Sequence, residues 1–158
     1  MKNKIAIRRA VEADCPQLAK LLSSLQAHYR SPDPPGGAAR MAKLLARAGD
    51  HQPFALVAEL DGQLVGIATL NPVLYGGGYE WLLDLKDLYV STRSQGVGRE
   101  LMRAIAQVAR EGGYVRVDWT TDAANQGAQR FYDGLGIPRQ AKVNYRLTGA
   151  DLDRLASL

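Results

Sequence analysis

The chain has 158 residues, enough for one domain with a buried core, and its 46% apolar and 23% charged residues are ordinary for a globular protein. It has no run of the roughly 20 apolar residues that a membrane helix needs. Its single cysteine, Cys15, excludes an internal disulfide and fits a reducing cytosol. The net charge of +4 is spread along the chain, unlike the concentrated basic stripe of nucleic-acid binders. We therefore expect one cytoplasmic domain over residues 1–158 that binds neither nucleic acid nor a membrane.

The first 50 residues predict a strand and two helices. Ile5 and Ile7 alternate with polar residues, as in a short strand. Asp14 is a predicted helix N-cap, and leucines at helical spacing continue that helix to about His28. A loop rich in proline and glycine follows, and a second helix is predicted over 38–48.

The middle of the chain predicts three consecutive strands. Asp61-Gly62 separates two apolar runs, 54–60 and 63–70, and this dipeptide is a strong signal for a tight hairpin turn. A glycine-rich turn at 76–78 then leads into a third strand that ends at Val90. We expect these strands to form an antiparallel meander.

The second half of the chain alternates between helical and strand patterns. Apolar residues at helical spacing run from 97 to 111, and a short apolar strand is predicted over 114–119. A helix over 125–135, a strand over 141–147 and a short helix over 151–158 complete the order. The pattern predicts an α/β (α+β) fold with a mixed sheet and helices on its faces, and neither an all-parallel sheet nor a barrel.

A glycine-containing loop between the strand ending at Val90 and the next helix is the most informative segment. The first N–H groups of a helix lack intrahelical partners and attract anions, and glycine lets a phosphate approach the backbone. No P-loop motif is present, and Leu101 stands where a dinucleotide fingerprint needs its third glycine. Arg93, Gly96 and Gly98 instead fit the pattern Arg/Gln-x-x-Gly-x-Gly. A strand-to-helix turn without a ligand is the alternative.

Two motifs in this order carry a resemblance to a known family. Residues 93–98, Arg-Ser-Gln-Gly-Val-Gly, follow Leu-Tyr-Val at 88–90, and residues 125–136 read Asn-Gln-Gly-Ala-Gln-Arg-Phe-Tyr-Asp-Gly-Leu-Gly. Together they resemble the cofactor signature and the later Asn-x-x-Ala-x-x-Phe-Tyr segment of the GNAT superfamily of N-acetyltransferases. The stretches 85–90 and 117–121 further resemble a branch that contains fungal histone and polyamine acetyltransferases.

The resemblance implies a GNAT-type mixed, mostly antiparallel central sheet with helices on both faces, and acetyl-CoA as cosubstrate. It implies that backbone amides after the strand bind the coenzyme A pyrophosphate, while the strand end binds the pantetheine arm. The implied cofactor-binding residues are Leu88, Tyr89, Val90, Arg93, Gln95, Gly96, Val97, Gly98, Arg99, Glu100, Asn125, Ala128 and Tyr132.

Acetyl transfer from a thioester needs a deprotonated amine and a protonated thiolate leaving group. The resemblance implies that Tyr132 protonates the thiolate. Many relatives carry a glutamate base where this chain has Lys86, so the base must be another carboxylate, and Glu80, Asp84 and Asp87 lie nearby. The resemblance to the branch implies Asp87 as the base, with Glu80 and Asp84 as alternatives. In a regular strand Asp84 and Lys86 would share one face and Asp87 would lie on the other.

The expected acceptor is the primary amine of a small molecule, such as a polyamine or an amino acid derivative, attacking directly in a ternary complex. A protein lysine or N-terminus, or a non-catalytic acyl-CoA-binding module, are the alternatives. Aromatic rings that contact cations are expected to line the amine pocket, and the candidates are Tyr29, Tyr75, Tyr79, Trp81 and Trp119. No metal site is expected, and a homodimer is expected by analogy with relatives.

Overall fold

A computed structural model of the chain describes residues 4–91 and 96–158. The proposed cofactor contacts Arg93 and Gln95 therefore lie outside the described residues. The chain divides into two compact units, Met1–Thr120 and Thr121–Leu158. The first contains the sheet and three helices, and the second contains two further helices.

The five described strands form one sheet in which the spatial order equals the chain order. The first four strands pair antiparallel, and the last pairs parallel with the fourth. The predicted mixed, mostly antiparallel sheet is thus confirmed. The strands are β1 (Ala6–Arg9), β2 (Phe54–Leu60), β3 (Gln63–Tyr75), β4 (Glu80–Val90) and β5 (Val117–Asp118).

The hairpin between β2 and β3 has the predicted turn. Asp61 and Gly62 both have positive φ angles, +52° and +76°, as a two-residue turn with the right-handed twist of a hairpin requires. Gln63 pairs with Leu60 directly across this turn. The turn fixes the register of the hairpin.

Helices cover both faces of the sheet, as predicted. Leu101 and Ile105 of one helix are fully buried against one face, and Leu18 and Leu22 of another are buried with the opposite face. The helices of the first unit are α1 (Cys15–Tyr29), α2 (Gly37–Leu45) and α3 (Val97–Glu111), and those of the second unit are α4 (Gln126–Gly134) and α5 (Ala150–Ala156). α3 covers one face, and α1 with α2 covers the other. No helix among residues 4–91 and 96–158 is long and apolar enough to cross a membrane.

Gly66 of β3 lies directly under the first turns of α3. A Cβ atom at this position would lie 3.0 Å from Val97 Cγ1, 3.2 Å from Leu101 Cδ1 and 3.3 Å from Ala58 Cβ. These separations are shorter than ordinary carbon–carbon contacts. The missing side chain therefore allows the first turns of α3 to pack directly on the strand.

Asp14 is the N-cap residue of α1, as predicted, but its side chain makes no capping hydrogen bond to that helix. Its carboxylate instead accepts the Val11 N–H at 2.8 Å and so caps the short 3-10 turn Glu12–Asp14. Arg8 of β1 donates to both Asp14 oxygens at 2.7 and 2.9 Å and also to Glu59 of β2. These hydrogen bonds from Arg8, aided by the Val11 amide, lower the pKa of the buried Asp14 carboxyl.

Two predictions for the last third of the chain were wrong. The strand predicted over 114–119 is limited to Val117–Asp118, and 141–147, predicted as a strand, has no regular secondary structure. Val143 and Tyr145 are 79% and 94% exposed. An alternating pattern forms a strand only where a neighbouring strand pairs with it, and the sheet described here provides none for this segment.

Candidate active site

A bulge in β4 changes which side chains share a face. Thr69 pairs with Asp87 and Leu70 pairs with Leu85, so Lys86 is an extra residue on β4. The placement of Asp87 expected from a regular strand, on the face opposite Asp84, was therefore wrong. Leu83 and Leu85 pack with α3 before the bulge and Leu88 and Val90 after it, so Asp84 and Asp87 share the opposite face.

A threonine on the neighbouring strand holds Asp87. The hydroxyl of Thr69 donates to Asp87 Oδ2 at 2.9 Å, and the same hydroxyl oxygen accepts the Asp87 N–H at 3.0 Å. Thr69 is only 6% exposed, while Asp87 is partly exposed. No sequence pattern indicates this contact, because it depends on the register of β3 against the bulged strand.

The C-terminal end of α1 adds aromatic rings to this face. The ring of His28 lies 5.7 Å from that of Tyr89, two residues beyond Asp87 on the same face of β4, and 5.1 Å from that of Tyr29. Partial burial and the negative charge of Asp87 raise the pKa of the Tyr29 phenol, so it stays protonated at neutral pH. Aromatic rings thus lie beside Asp87, which suits a carboxylate that takes up a cationic amine.

The opposite edge of β4 is open along the same residues. β5 pairs with β4 only at Leu83–Val117 and Asp84–Asp118. Beyond Asp84, no described strand pairs with this edge of β4, although β3 continues to pair with the other edge as far as Val90. The backbone at Leu88–Val90, where the resemblance places the pantetheine arm, therefore has polar groups on this edge that no described strand pairs.

The start of α3 has the features of an anion site. Gly96 is the N-cap with a φ of +74°, and among the described residues other than its chain neighbours no atom lies within 4 Å of the position that a Cβ would take. The Glu100 N–H donates to the Gly96 carbonyl at 3.1 Å, so the first-turn N–H groups without a helical partner are those of Val97, Gly98 and Arg99. With the helix dipole, these groups fit a pyrophosphate.

The second unit contains the other two proposed functional residues. Asn125 is the N-cap of α4, and its Oδ1 accepts the Ala128 N–H at 3.1 Å. Tyr132 lies on the same helix, and its ring contacts that of Phe131 with the centroids 5.2 Å apart. Because the cap uses the Asn125 oxygen, the side-chain NH₂ is the group left to donate to a ligand.

The expected aromatic pocket is not assembled as predicted, and of its five candidates Tyr29 alone lies beside Asp87. Trp81 stacks on His51 with the rings 3.8 Å apart, and Arg116 lies over the ring of Tyr75 at 4.3 Å. Trp119 packs against the α3-side core, and Tyr79 is 92% exposed. Trp81 is six residues before Asp87 on β4, or about 20 Å along an extended strand. Among the residues described, no three His, Cys, Asp or Glu side chains are grouped to bind a metal.

Comparisons with known proteins agree with these features. A model of the Acetyltransferase (GNAT) family matches residues 18–137. An uncharacterized N-acetyltransferase of Bacillus subtilis, YhfO, is 28% identical over 132 residues, which are 82% of this chain and 87% of that protein. N-acetyltransferase 8F1 of Rattus norvegicus is 38% identical over 99 residues, which are 59% of this chain but only 45% of that protein.

The solved structures extend the likeness to the fold. An aminoglycoside N-acetyltransferase, AAC(6')-Iy in complex with CoA, superposes with a TM-score of 0.78 at 20% identity, covering 92% of this chain and 95% of its own. An integron cassette protein of V. cholerae superposes with a TM-score of 0.79 at 25% identity, covering 98% of both chains.

Proposed function

From the premise that this chain belongs to the GNAT family of acetyltransferases and is an acetyl-CoA-dependent N-acetyltransferase, we propose that it acetylates the primary amine of a small molecule. The proposed acceptor is a polyamine or an amino acid derivative that reaches Asp87 as an ammonium ion. The position of Asp87 carries this proposal. The bulge at Lys86 places the carboxylate of Asp87 on the α1 side of β4, beside aromatic rings. In this stretch the edge of β4 opposite β3 is not paired by a described strand.

The proposed cofactor site uses the two unpaired backbone regions. The N–H groups of Val97, Gly98 and Arg99 bind the pyrophosphate, and the open edge at Leu88–Val90 binds the pantetheine arm. An N–H of this edge polarises the thioester carbonyl and stabilises the negative charge that forms on its oxygen. The side-chain NH₂ of Asn125 donates to the pantetheine chain.

The proposed proton transfers balance with the solvent as proton donor and acceptor. Asp87 accepts a proton from the ammonium group, directly or through a water, and the freed lone pair attacks the thioester carbonyl. The carbon–nitrogen bond forms, the carbon–sulfur bond breaks, and the thiolate receives the phenol proton of Tyr132. The nitrogen loses its second proton to the solvent as the amide forms, the Tyr132 phenolate regains a proton from the solvent, and Asp87 releases its own. The amide, coenzyme A and one proton are the products.

A panel assay of coenzyme A release tests the proposal. The chain is given acetyl-CoA with polyamines, amino acids, aminoglycosides or a histone-tail peptide, and acetyl-CoA binding is followed by calorimetry. We expect turnover on a small amine, and a loss of about 100- to 10,000-fold in kcat for Asp87→Asn and Tyr132→Phe with acetyl-CoA binding retained.

Asp84→Asn is the matched control for Asp87→Asn. Asp84 lies on the same face of β4, so a general loss of negative charge near the amine affects both variants, whereas loss of the base affects Asp87→Asn alone. Turnover on the peptide alone would replace the small amine with a protein acceptor. An equal loss in both aspartate variants would contradict the assignment of Asp87 as the base.

A further inference from the structure

We infer that Thr69 is a positioning residue for acetyl transfer, which acts by fixing the carboxylate of Asp87. This inference rests on the proposed function, in which Asp87 accepts the proton of the amine. Thr69 lies on β3, one strand away from the proposed cofactor edge, and its side chain is 6% exposed. A side chain buried to this extent acts on the reaction through its neighbour and not through contact with the amine.

The hydroxyl of Thr69 binds Asp87 at two points. It donates to Asp87 Oδ2 at 2.9 Å and accepts the Asp87 backbone N–H at 3.0 Å. The first contact fixes the rotation of the carboxylate, and the second ties the same hydroxyl to the backbone at the bulge. No described residue donates a hydrogen bond to the other oxygen, Oδ1. With Oδ2 engaged, Oδ1 is the atom presented to the amine.

The bulge explains why a hydroxyl is useful at this position. The register shifts by one residue between Thr69 and Leu70, so the backbone of β4 turns at Lys86 immediately before the base. A short side chain with both a donor and an acceptor can bind an N–H and a carboxylate oxygen of one residue. Thr69 thus couples the direction of the carboxylate to the geometry of the bulge.

The other polar groups around Asp87 do not duplicate this contact. His28 and Tyr29 approach from α1, and Tyr89 lies on the same face of β4; their contacts with one another are between rings. The charge of Asp87 contributes to the raised pKa of Tyr29, but no hydrogen bond joins these two side chains. Among the described residues, Thr69 alone has a side-chain hydrogen bond to the carboxylate.

Two pairs of substitutions test the role of the hydroxyl. Thr69→Val keeps the shape of threonine and removes the hydroxyl, while Thr69→Ser and Thr69→Ala differ from each other by the hydroxyl alone. We expect Thr69→Val and Thr69→Ala to lower kcat about 10- to 100-fold, as a misdirected catalytic group does, and Thr69→Ser to stay within about threefold of wild type. The calorimetric Kd for acetyl-CoA is expected to change less than about twofold.

The same substitutions in an Asp87→Asn background separate positioning from general packing. If Thr69 acts through the carboxylate, Thr69→Ala lowers kcat no further once the carboxylate is gone. An equal further loss in that background overturns the inference. So does a Thr69→Ser variant as impaired as Thr69→Ala. If Asp87→Asn retains full turnover, the proposed base and the role of Thr69 fail together; if Asp87→Asn is impaired and Thr69→Ala is not, only the inference about Thr69 fails.

Discussion

Adding a single methyl group at Gly66 is expected to disturb the start of α3 and, with it, the binding of acetyl-CoA. The Cβ of Gly66→Ala would lie 3.0 Å from Val97 Cγ1 and 3.2 Å from Leu101 Cδ1, a few tenths of an ångström too close. Gly66 has no positive φ angle, so alanine fits its backbone and the effect comes from packing alone. The helix must move away from the sheet or the side chains must leave their preferred rotamers.

The magnitude follows from two opposing terms. Overpacking of this kind costs about 1–3 kcal/mol, and the reduced freedom of alanine in the unfolded chain returns about 0.4–1 kcal/mol. We expect a net loss of about 1 kcal/mol in the free energy of unfolding, or a Tm lower by about 2–4 °C. Since Val97 begins α3, the displacement also reaches the proposed pyrophosphate amides, and we expect acetyl-CoA to bind about 3- to 10-fold more weakly.

Thermal unfolding and calorimetry with acetyl-CoA measure both effects. Gly134→Ala is the control, because it makes the same change at the end of α4 and Gly134 also has no positive φ angle. Among the described residues outside its own helix turn, no atom lies within 4 Å of its Cβ position. Adding Val97→Ala to Gly66→Ala should recover part of the affinity, since Val97 is the nearest obstacle. A Gly66→Ala variant with unchanged stability and cofactor affinity would refute the reasoning.

Three further predictions concern the Arg8–Asp14 ion pair, the turn of the β2–β3 hairpin and the N-cap of α4. Asp14→Asn should lower the free energy of unfolding by about 1–3 kcal/mol at pH 7. Because the pKa of Asp14 is lowered in the folded state, its contribution to stability is present above the unfolded pKa of about 3.9 and is lost as the pH falls through the folded pKa. Urea unfolding should therefore show a smaller difference in stability between wild type and Asp14→Asn at pH 3 than at pH 7. Gly62→Ala should lower the free energy of unfolding by about 1–2 kcal/mol because of the +76° φ angle, whereas Gly62→Asn should be tolerated. Equal Tm values for these two variants would argue against a cause in the turn. Asn125→Asp keeps the oxygen that caps α4 and loses the NH₂, so it should retain the Tm but bind acetyl-CoA about 2- to 10-fold more weakly. Asn125→Ala should lower both the Tm and the affinity for acetyl-CoA. Unchanged binding in both variants would remove Asn125 from the cofactor site.

Local sequence signals predicted most of the first unit. The Asp61-Gly62 turn and the helical spacing from Val97 to Glu111 depend on neighbouring residues alone, and the structure has both at the predicted positions. The 141–147 strand failed because its pattern needs a pairing partner, which short-range patterns do not encode. Asp14 is the N-cap residue of α1 as predicted, but its carboxylate binds Arg8 of β1 and the Val11 N–H instead of that helix, and these contacts are not encoded in a helix pattern.

The proposed site was predictable to the extent that it follows motifs. The start of α3 and the helix carrying Asn125 and Tyr132 lie where the two motifs placed them. The surroundings of Asp87 were not predictable, because alternation along β4 gives the wrong face once a residue is added to the strand. Thr69 and His28 reach this region through β-sheet register and helix packing, which a single sequence does not reveal.

The bulge in β4 also means that the pairing of this strand, and not only its composition, determines which groups reach the amine. Deleting Lys86 would leave uniform alternation with Asp87 and Tyr89 still on the α1 side and Leu88 and Val90 still on the side packed by α3. Regular pairing of Lys86 with β3 would instead move Asp87 and Tyr89 to the α3 side and exchange an acidic, aromatic surface for an aliphatic one. Related chains in which this position is paired and not bulged are therefore expected to differ in the kind of acceptor they take, even where every other residue is shared.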